Sequence, residues 1–277
     1  MNLISDGWGI QASGRASAGD RWPGSRGLGG VGRIGFTVVE LLVVIGMIAM
    51  LAGLLLPALV RAKEEGRAGL CLGNVKQFGY AWHLYAQDHD DQAPPNFGGG
   101  FGFPEGPSWV YGLMQETRPN WPDNTNVFLL QQSLLGPYLG NSPAVWRCPS
   151  DKSQALEGGR WYPRVRSFSM NGWLNGTIVP RKLKRISEIR CPPQTFVFLD
   201  EREDSIEDCA FRIDPTNGPA SLVRIPGSYH NGTASLVFAD GHAERHKWQD
   251  ARTNPPLVPN EFVGIMFSAW PPNPDVA

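Results

Sequence analysis

His230 is followed, after nine intervening residues, by Asp240-Gly241, and two more histidines, His242 and His246, lie just beyond. Imidazole and carboxylate suit zinc or a similar ion, so His230, Asp240, His242 and His246, with Asp200 from farther upstream, form one candidate metal centre. Spacing argues against it. Residues four apart in a strand are separated by about 13 Å, too far for His242 and His246 to share one ion. The favoured alternative is structural: Asp240-Gly241 makes a turn, and His230 hydrogen-bonds the loop beside it. Ser228, His230 and Asp240 include the residue types of a nucleophile triad, but no Gly-x-Ser-x-Gly elbow surrounds Ser228, and no enzyme is expected. Four cysteines occur, Cys71, Cys148, Cys191 and Cys209. They allow three disulfide pairings among which the sequence does not choose. None forms a Cys-x-x-Cys pair, so neither a structural zinc site nor a thioredoxin-like motif is expected. Trp109, Trp121, Trp161 and Trp173 could make a sugar-binding face, but core packing is the commoner use of large aromatics.

The elements that carry these residues begin with an apolar run. Leu41 to Val60 is 20 residues without a charge. As a helix at about 1.5 Å per residue, it is roughly 30 Å long, one bilayer core. A lone carboxylate, Glu40, stands at its start, where a charge inside the apolar layer costs energy, on the order of 2.5–3.5 kcal/mol at mid-bilayer and less near the interface. Such a residue calls for a partner. Before the run, Arg15, Arg21, Arg26 and Arg33 outweigh Asp6 and Asp20, leaving a net charge of +2 over residues 1–35. A basic flank stays in the cytoplasm, so the span runs N-in, C-out. That topology places all four cysteines outside the cytoplasm, where disulfides persist.

The stretch Gly35-Phe36-Thr37-Val38-Val39-Glu40-Leu41-Leu42-Val43-Val44-Ile45 before an apolar helix resembles the N-terminus of type IV prepilins and of the pseudopilins of type II secretion systems. The resemblance implies cleavage between Gly35 and Phe36 by a prepilin peptidase, N-methylation of Phe36, and an assembly role for Glu40, the fifth residue of the mature chain. It implies a pilin-like α+β fold: a long N-terminal transmembrane and spine helix packed on a small antiparallel β-sheet head with long loops. The domain reading is a cleaved leader over 1–35, a spine over 36–90 (transmembrane about 38–60) and an extracytoplasmic head over 91–277. The localisation that follows is a bacterial inner membrane crossed once, with the head periplasmic and a filament after assembly. Implied partners are other pilin or pseudopilin subunits, the peptidase, an inner-membrane assembly platform and membrane lipid. Pro57 matches a helix-bending proline that these pilins carry near this position.

Two more segments carry a likeness to an environmental-bacterial branch of such proteins. They are Cys148-Pro149-Ser150-Asp151 and Ser167-Phe168-Ser169-Met170-Asn171-Gly172, expected at sheet edges or in loops. The spacing of His230, Asp240 and Gly241 matches a C-terminal signature of planctomycete- and verrucomicrobia-type members. Some major pseudopilins bind calcium in a C-terminal loop, which makes Asp200, Glu201 and Asp204, with Glu203 and Asp208, calcium candidates; Asp88, Asp90 and Asp91 are a second set. Calcium takes six to eight oxygens. No twelve-residue EF-hand loop appears, and a solvated acidic loop is the commoner meaning. No cofactor is otherwise expected.

The net charge of −1 becomes −3 without the leader, which gives no support for nucleic-acid binding. No Walker pattern is present. Ten Trp and 24 Pro point to a loop-rich, aromatic-packed head. Helical periodicity continues beyond Val60 through Leu70, Val75, Phe78, Trp82 and Tyr85 and stops near Asp88, before Pro94-Pro95. Gly66, Gly69, Gly73 and Gly79 weaken the helix by up to about 1 kcal/mol each. A short helix is expected around Thr125–Tyr138, and strands over Thr195–Asp200 and Thr233–Ala239. A two-residue Asp240-Gly241 hairpin would pair Ala239 with His242 and Val237 with Glu244. Leu236 and Phe238 would then face the spine or core, with His242, Glu244 and His246 on the opposite face.

Overall fold

The computed structural model describes residues 35–97, 106–114, 119–176, 183–214, 221–259, 261–263 and 275. Of the expected leader, residues 1–34 lie outside them. The chain divides into two units, Met1–Ala52 and Gly53–Ala277. One helix, α1, runs from Val38 to Asp88 over 51 residues, with Pro57 inside it. It is long and apolar enough to cross a membrane, and every side chain from Phe36 to Leu51 is exposed.

In the second unit α1 acquires a buried stripe. Ala68, Cys71, Val75, Phe78, Trp82 and Tyr85 are buried at alternating steps of three and four, the spacing that keeps one face of a helix inward. Leu70, read from the sequence as part of the stripe, is 63% exposed; Cys71 holds that phase instead. Gly79 belongs to the buried face for another reason. A Cβ there would lie 2.5 Å from Cγ2 of Val237, so the bare backbone lets a strand approach the helix. Phe78 is central to the core. Its ring centroid lies 5.0–6.0 Å from those of Trp109, Trp146, Phe168 and Phe198, within the range of favourable edge and tilted packing.

The remaining elements are a short helix α2 (Val127–Gln132) and, among the described residues, nine strands: β1 (Gln154–Glu157), β2 (Arg160–Pro163), β3 (Phe168–Asn171), β4 (Phe196–Asp200), β5 (Ala210–Phe211), β6 (Ile213–Asp214), β7 (Ser221–Leu222), β8 (Thr233–Phe238) and β9 (Ala243–Lys247). A five-stranded sheet has the order β5-β3-β4-β8-β9, and β1-β2 and β6-β7 form separate two-stranded sheets. The arrangement is α+β. The main sheet is mixed, not purely antiparallel, because β3 pairs with β5 in parallel. The Ser-Phe-Ser-Met-Asn segment is β3, an inner strand rather than an edge or a loop.

The β8–β9 hairpin departs from its expected register. Val237 pairs with Ala243 and Leu236 with Glu244. Phe238 N–H donates to His242 O (2.9 Å) and Gly241 N–H to Phe238 O (2.9 Å). The loop therefore has three residues, Ala239-Asp240-Gly241, closed by Gly241 at φ +89°, a left-handed position suited to glycine. The faces differ as well. Val237 and Ala239 enter the core against α1, whereas Leu236 packs in a second cluster with Leu199, Phe211 and Ala234. Phe238 stacks on His242 with ring centroids 4.3 Å apart, on that same second face.

Candidate functional site

Four chain segments, each delivering one polar side chain, meet beneath α1. Cys71 comes from the buried stripe of the helix, Cys148 from the loop after the 3-10 turn Pro143–Trp146, Asp200 from the end of β4, and His230 from the turn that leads into β8. Each of the four is buried. Their ligand atoms, two Sγ, one carboxylate oxygen and one imidazole nitrogen, all lie within 4.8 Å of one another. Cys148 Sγ is 3.2 Å from His230 Nε2. The Cys71 thiol donates to Asp200 Oδ2 at 3.8 Å.

Local structure fixes each member. The Cys148 N–H donates to Ser167 Oγ at 2.6 Å, and its carbonyl accepts from Asp151 N–H at 3.0 Å, so Cys148-Pro149-Ser150-Asp151 forms a tight turn. Arg147 donates to the carbonyl of Asp151 at 2.6 Å and to that of Ser153 at 2.9 Å, bracing the turn from outside. Asp200 is held by two backbone donors: Ser235 N–H to Oδ1 at 2.7 Å and Gly227 N–H to its carbonyl at 2.7 Å. After His230 the chain turns through Asn231 and Gly232 at positive φ, and Thr233 Oγ1 closes the turn on the His230 carbonyl at 2.7 Å. The Nδ1 of His230 is buried and has no hydrogen-bond partner among the described residues.

The electrostatics follow from this packing. The neighbouring Cys71 thiol, and then His230, draw the Cys148 thiol down to about 6 against its burial. Cys71 is pushed up by the adjoining Cys148, by burial and by Asp200. Burial, and then Cys148, raise Asp200 well above the usual carboxylate range. Two thiols, a carboxyl and an imidazole thus share few charges in a site closed to water.

The cluster gathers His230 and Asp200 from the sequence-derived metal set and excludes the rest. Asp240 Oδ1 pairs with His242 Nδ1 at 2.6 Å, and His246 Nδ1 faces Glu244 at 3.4 Å, both exposed on the hairpin. His230 reaches Cys148 rather than the Asp240-Gly241 turn beside which it was expected. Nor does Asp240 serve His230 as a triad acid. A zinc-type site was not expected because Cys-x-x-Cys is absent, yet Cys71 and Cys148 come together from positions far apart in the chain. No disulfide joins any of the four cysteines; Cys209 is buried beside Ser108, 3.8 Å away, and Cys191 is exposed.

The calcium candidates separate. Asp200 belongs to the cluster, Glu201 accepts from Ser205 Oγ at 2.9 Å, and Asp204 is ion-paired with Arg202, whose Nε lies 2.9 Å from Oδ1. The acidic loop is not solvated: Glu201, Arg202, Asp204 and Ser205 are buried. Buried guanidinium groups explain this. Arg164 donates to Glu203 O at 2.8 Å, Arg166 to Asp208 O at 3.0 Å, and Arg224 to Ser205 O at 3.0 Å. In the second acidic set, Asp88 accepts from Tyr138 OH at 2.8 Å and Asp91 from Ser187 N–H at 3.2 Å. Of the four tryptophans, Trp109 is fully buried in the core and Trp161 is 55% exposed on β2.

At the other end of α1, Gly35 and Phe36 are exposed and precede the helix. Thr37 and Glu40 bond reciprocally. The Thr37 N–H and Oγ1–H both donate to Glu40 Oε2 at 2.8 Å, and the Glu40 N–H donates to Thr37 Oγ1 at 3.2 Å. This is a capping box, which satisfies amides that a helix start leaves unpaired. The Thr-x-x-Glu spacing is visible in the sequence.

Comparison with described protein families, with curated proteins and with solved structures finds no match to the chain.

Proposed function

We propose that the chain is a structural subunit, a pseudopilin or type IV pilin-like protein that assembles into a type II secretion pseudopilus or a related filament. The observation that carries this reading is the order of features at the start of α1. An exposed Gly35-Phe36 pair is followed by Thr37 and Glu40, and then by an apolar helix long enough to cross a membrane. The same helix carries a buried stripe, Ala68 to Ala86, in the second unit. One element thus offers an anchor segment and a head-bound segment, as a pilin spine requires.

In this reading prepilin peptidase cuts between Gly35 and Phe36, and the amine of Phe36 is methylated and stays charged. Glu40 pairs with that amine on a neighbouring subunit, which offsets the cost of both charges in an apolar bundle and sets the axial register. The exposed apolar side chains from Leu41 to Val60 pack against neighbouring spines. An inner-membrane platform with its own ATPase supplies the work.

Intact-mass measurement of the protein from native membranes tests the processing: a chain beginning at methylated Phe36 is expected, and one that retains residues 1–35 without a methyl group overturns the reading. Glu40→Ala is expected to block filament incorporation while the head remains folded. Normal incorporation of that variant would remove the role given to Glu40. A second reading, a membrane-anchored binding module, draws on an open groove of about 710 Å³ lined by Leu70, Asn74, Val127, Pro143, Ala144 and Tyr162 among others. Glu40→Ala separates the two, because ligand binding by the head would survive it.

A further inference from the structure

We infer that Cys71, Cys148, Asp200 and His230 are the four ligands of a structural zinc ion. The inference stands on the geometry of the second unit and is independent of filament assembly. Zinc in structural sites is four-coordinate and tetrahedral, with bonds of about 2.3 Å to sulfur and about 2.0–2.2 Å to nitrogen and oxygen. Those bonds require ligand atoms about 3.3–3.8 Å apart. The observed spacings are 3.2 Å for Cys148–His230, just below that range, and 3.8 Å for Cys71–Asp200, at its upper end. The cluster's outer bound of 4.8 Å asks for a contraction of about 1.5 Å at most.

The donor set selects the ion. Two sulfurs disfavour calcium and magnesium, and a mixed sulfur, nitrogen and oxygen tetrahedron suits zinc. Four protein ligands, all buried, complete a tetrahedral shell and leave no position for a substrate, which marks the site as structural rather than catalytic. Outer contacts hold two of the ligands in place. Ser235 N–H fixes the Asp200 carboxylate, and Ser167 fixes the Cys148 backbone.

Two alternatives use the same residues. In a nucleophilic cysteine site the thiolate must be open to a substrate; here Cys148 is fully buried. A Cys71–Cys148 disulfide would remove the thiol that donates to Asp200 Oδ2, leaving that oxygen of a buried carboxyl without its hydrogen bond, which is costly. Zinc instead makes partners of all four groups. On binding, the Cys71 thiol proton, and any proton on Cys148 and Asp200, leave to solvent. The imidazole binds in its neutral form, and no oxidant or reductant is needed.

The segments joined are a helix, a loop, a strand end and a turn, spread from residue 71 to residue 230. A metal here fastens α1 to the sheet, and its binding free energy adds to folding.

The test uses the full chain, purified in detergent without chelator. Elemental analysis should give one zinc per chain. Cys148→Ser and His230→Ala should each lose it, and Cys191→Ser, at an exposed cysteine, should keep it. Because a ligand variant can fail to fold, the unmodified chain carries a second measurement. Replacing zinc by cobalt should produce the intense visible bands of a tetrahedral thiolate site, and loss of metal to a chelator should lower the melting temperature. Intact mass after alkylation under denaturing, non-reducing conditions reads the thiols. A Cys71–Cys148 disulfide, metal-free chains with free thiols, or stoichiometric binding of a metal other than zinc would each overturn the inference.

Discussion

Gly227 leaves the space of a side chain to the carboxyl group of Asp200. A Cβ on residue 227 would fall inside the Asp200 carboxyl group, 2.8 Å from Oδ1 and nearer still to Cγ and Oδ2. The carboxyl cannot retreat, because Ser235 N–H holds Oδ1 and Cys71 faces Oδ2. Gly227→Ala must therefore displace Asp200 or the chain at 227. Overpacking of this kind costs about 1–3 kcal/mol. The expected outcome is a lower melting temperature together with weakened metal retention. A variant that melts like the parent would show that the carboxyl is free to move.

The glycines of α1 divide by what lies beside them. Gly79→Ala would press its methyl group to 2.5 Å from Val237 Cγ2, inside a fully buried contact, and should destabilise by about 1–3 kcal/mol. Gly73 has nothing within 4 Å, so Gly73→Ala gains helix propensity and should stabilise by up to about 1 kcal/mol. Thermal denaturation of the two variants checks this. The same sign for both would mean that the strand does not approach the helix at Gly79.

How much of this could be read in advance depends on sequence distance. The extent of α1 was legible because an uncharged run and a three-four stripe are local patterns, and β4 and β8 emerged close to where their β-branched and aromatic residues put them. The hairpin was legible from Asp240-Gly241, but its register was not, since one extra loop residue suffices to shift every pair. Half of the Cys71, Cys148, Asp200 and His230 cluster was legible, since His230 and Asp200 stand together in the metal set. Cys71 and Cys148 were not, because successive members are separated by 30 to 77 positions and no short motif joins them. The acidic stretch after β4 misled for the opposite reason. Its composition is that of a solvated loop, and its burial depends on Arg164, Arg166 and Arg224, which arrive from other parts of the chain.

The Thr37–Glu40 capping box gives Glu40 a task within its own chain, which must be separated from its proposed task between chains. Glu40→Gln retains a side chain able to reach back to the Thr37 amide but carries no charge. Thr37→Ala removes the hydroxyl and keeps the carboxylate, at a cost of about 1 kcal/mol to the helix start. If the charge is what assembles subunits, Thr37→Ala should enter filaments and Glu40→Gln should not. Sheared-filament fractions probed for each variant provide the measurement. Filaments built from Glu40→Gln at parental levels would leave capping as its whole contribution.

Glu201 supplies a pH dependence with a defined sign. Burial raises its carboxyl from 4.5 to about 7; Arg224, Ser169 and Ser205 pull it down and Asp208 pushes it up. The folded state therefore holds a proton that the unfolded chain releases above about 4.5. Stability from this group is fully present below that pH and is lost as pH rises through about 7, by at most about 3 kcal/mol. Glu201→Gln stays neutral and avoids the loss. Denaturant midpoints of the detergent-solubilised chain, measured from pH 4.5 to 8, should show the variant gaining on the parent as pH rises, with most of the change below pH 7. Parallel curves would mean that Arg224 keeps the carboxylate ionised throughout, and the assignment of a buried, protonated Glu201 would fall.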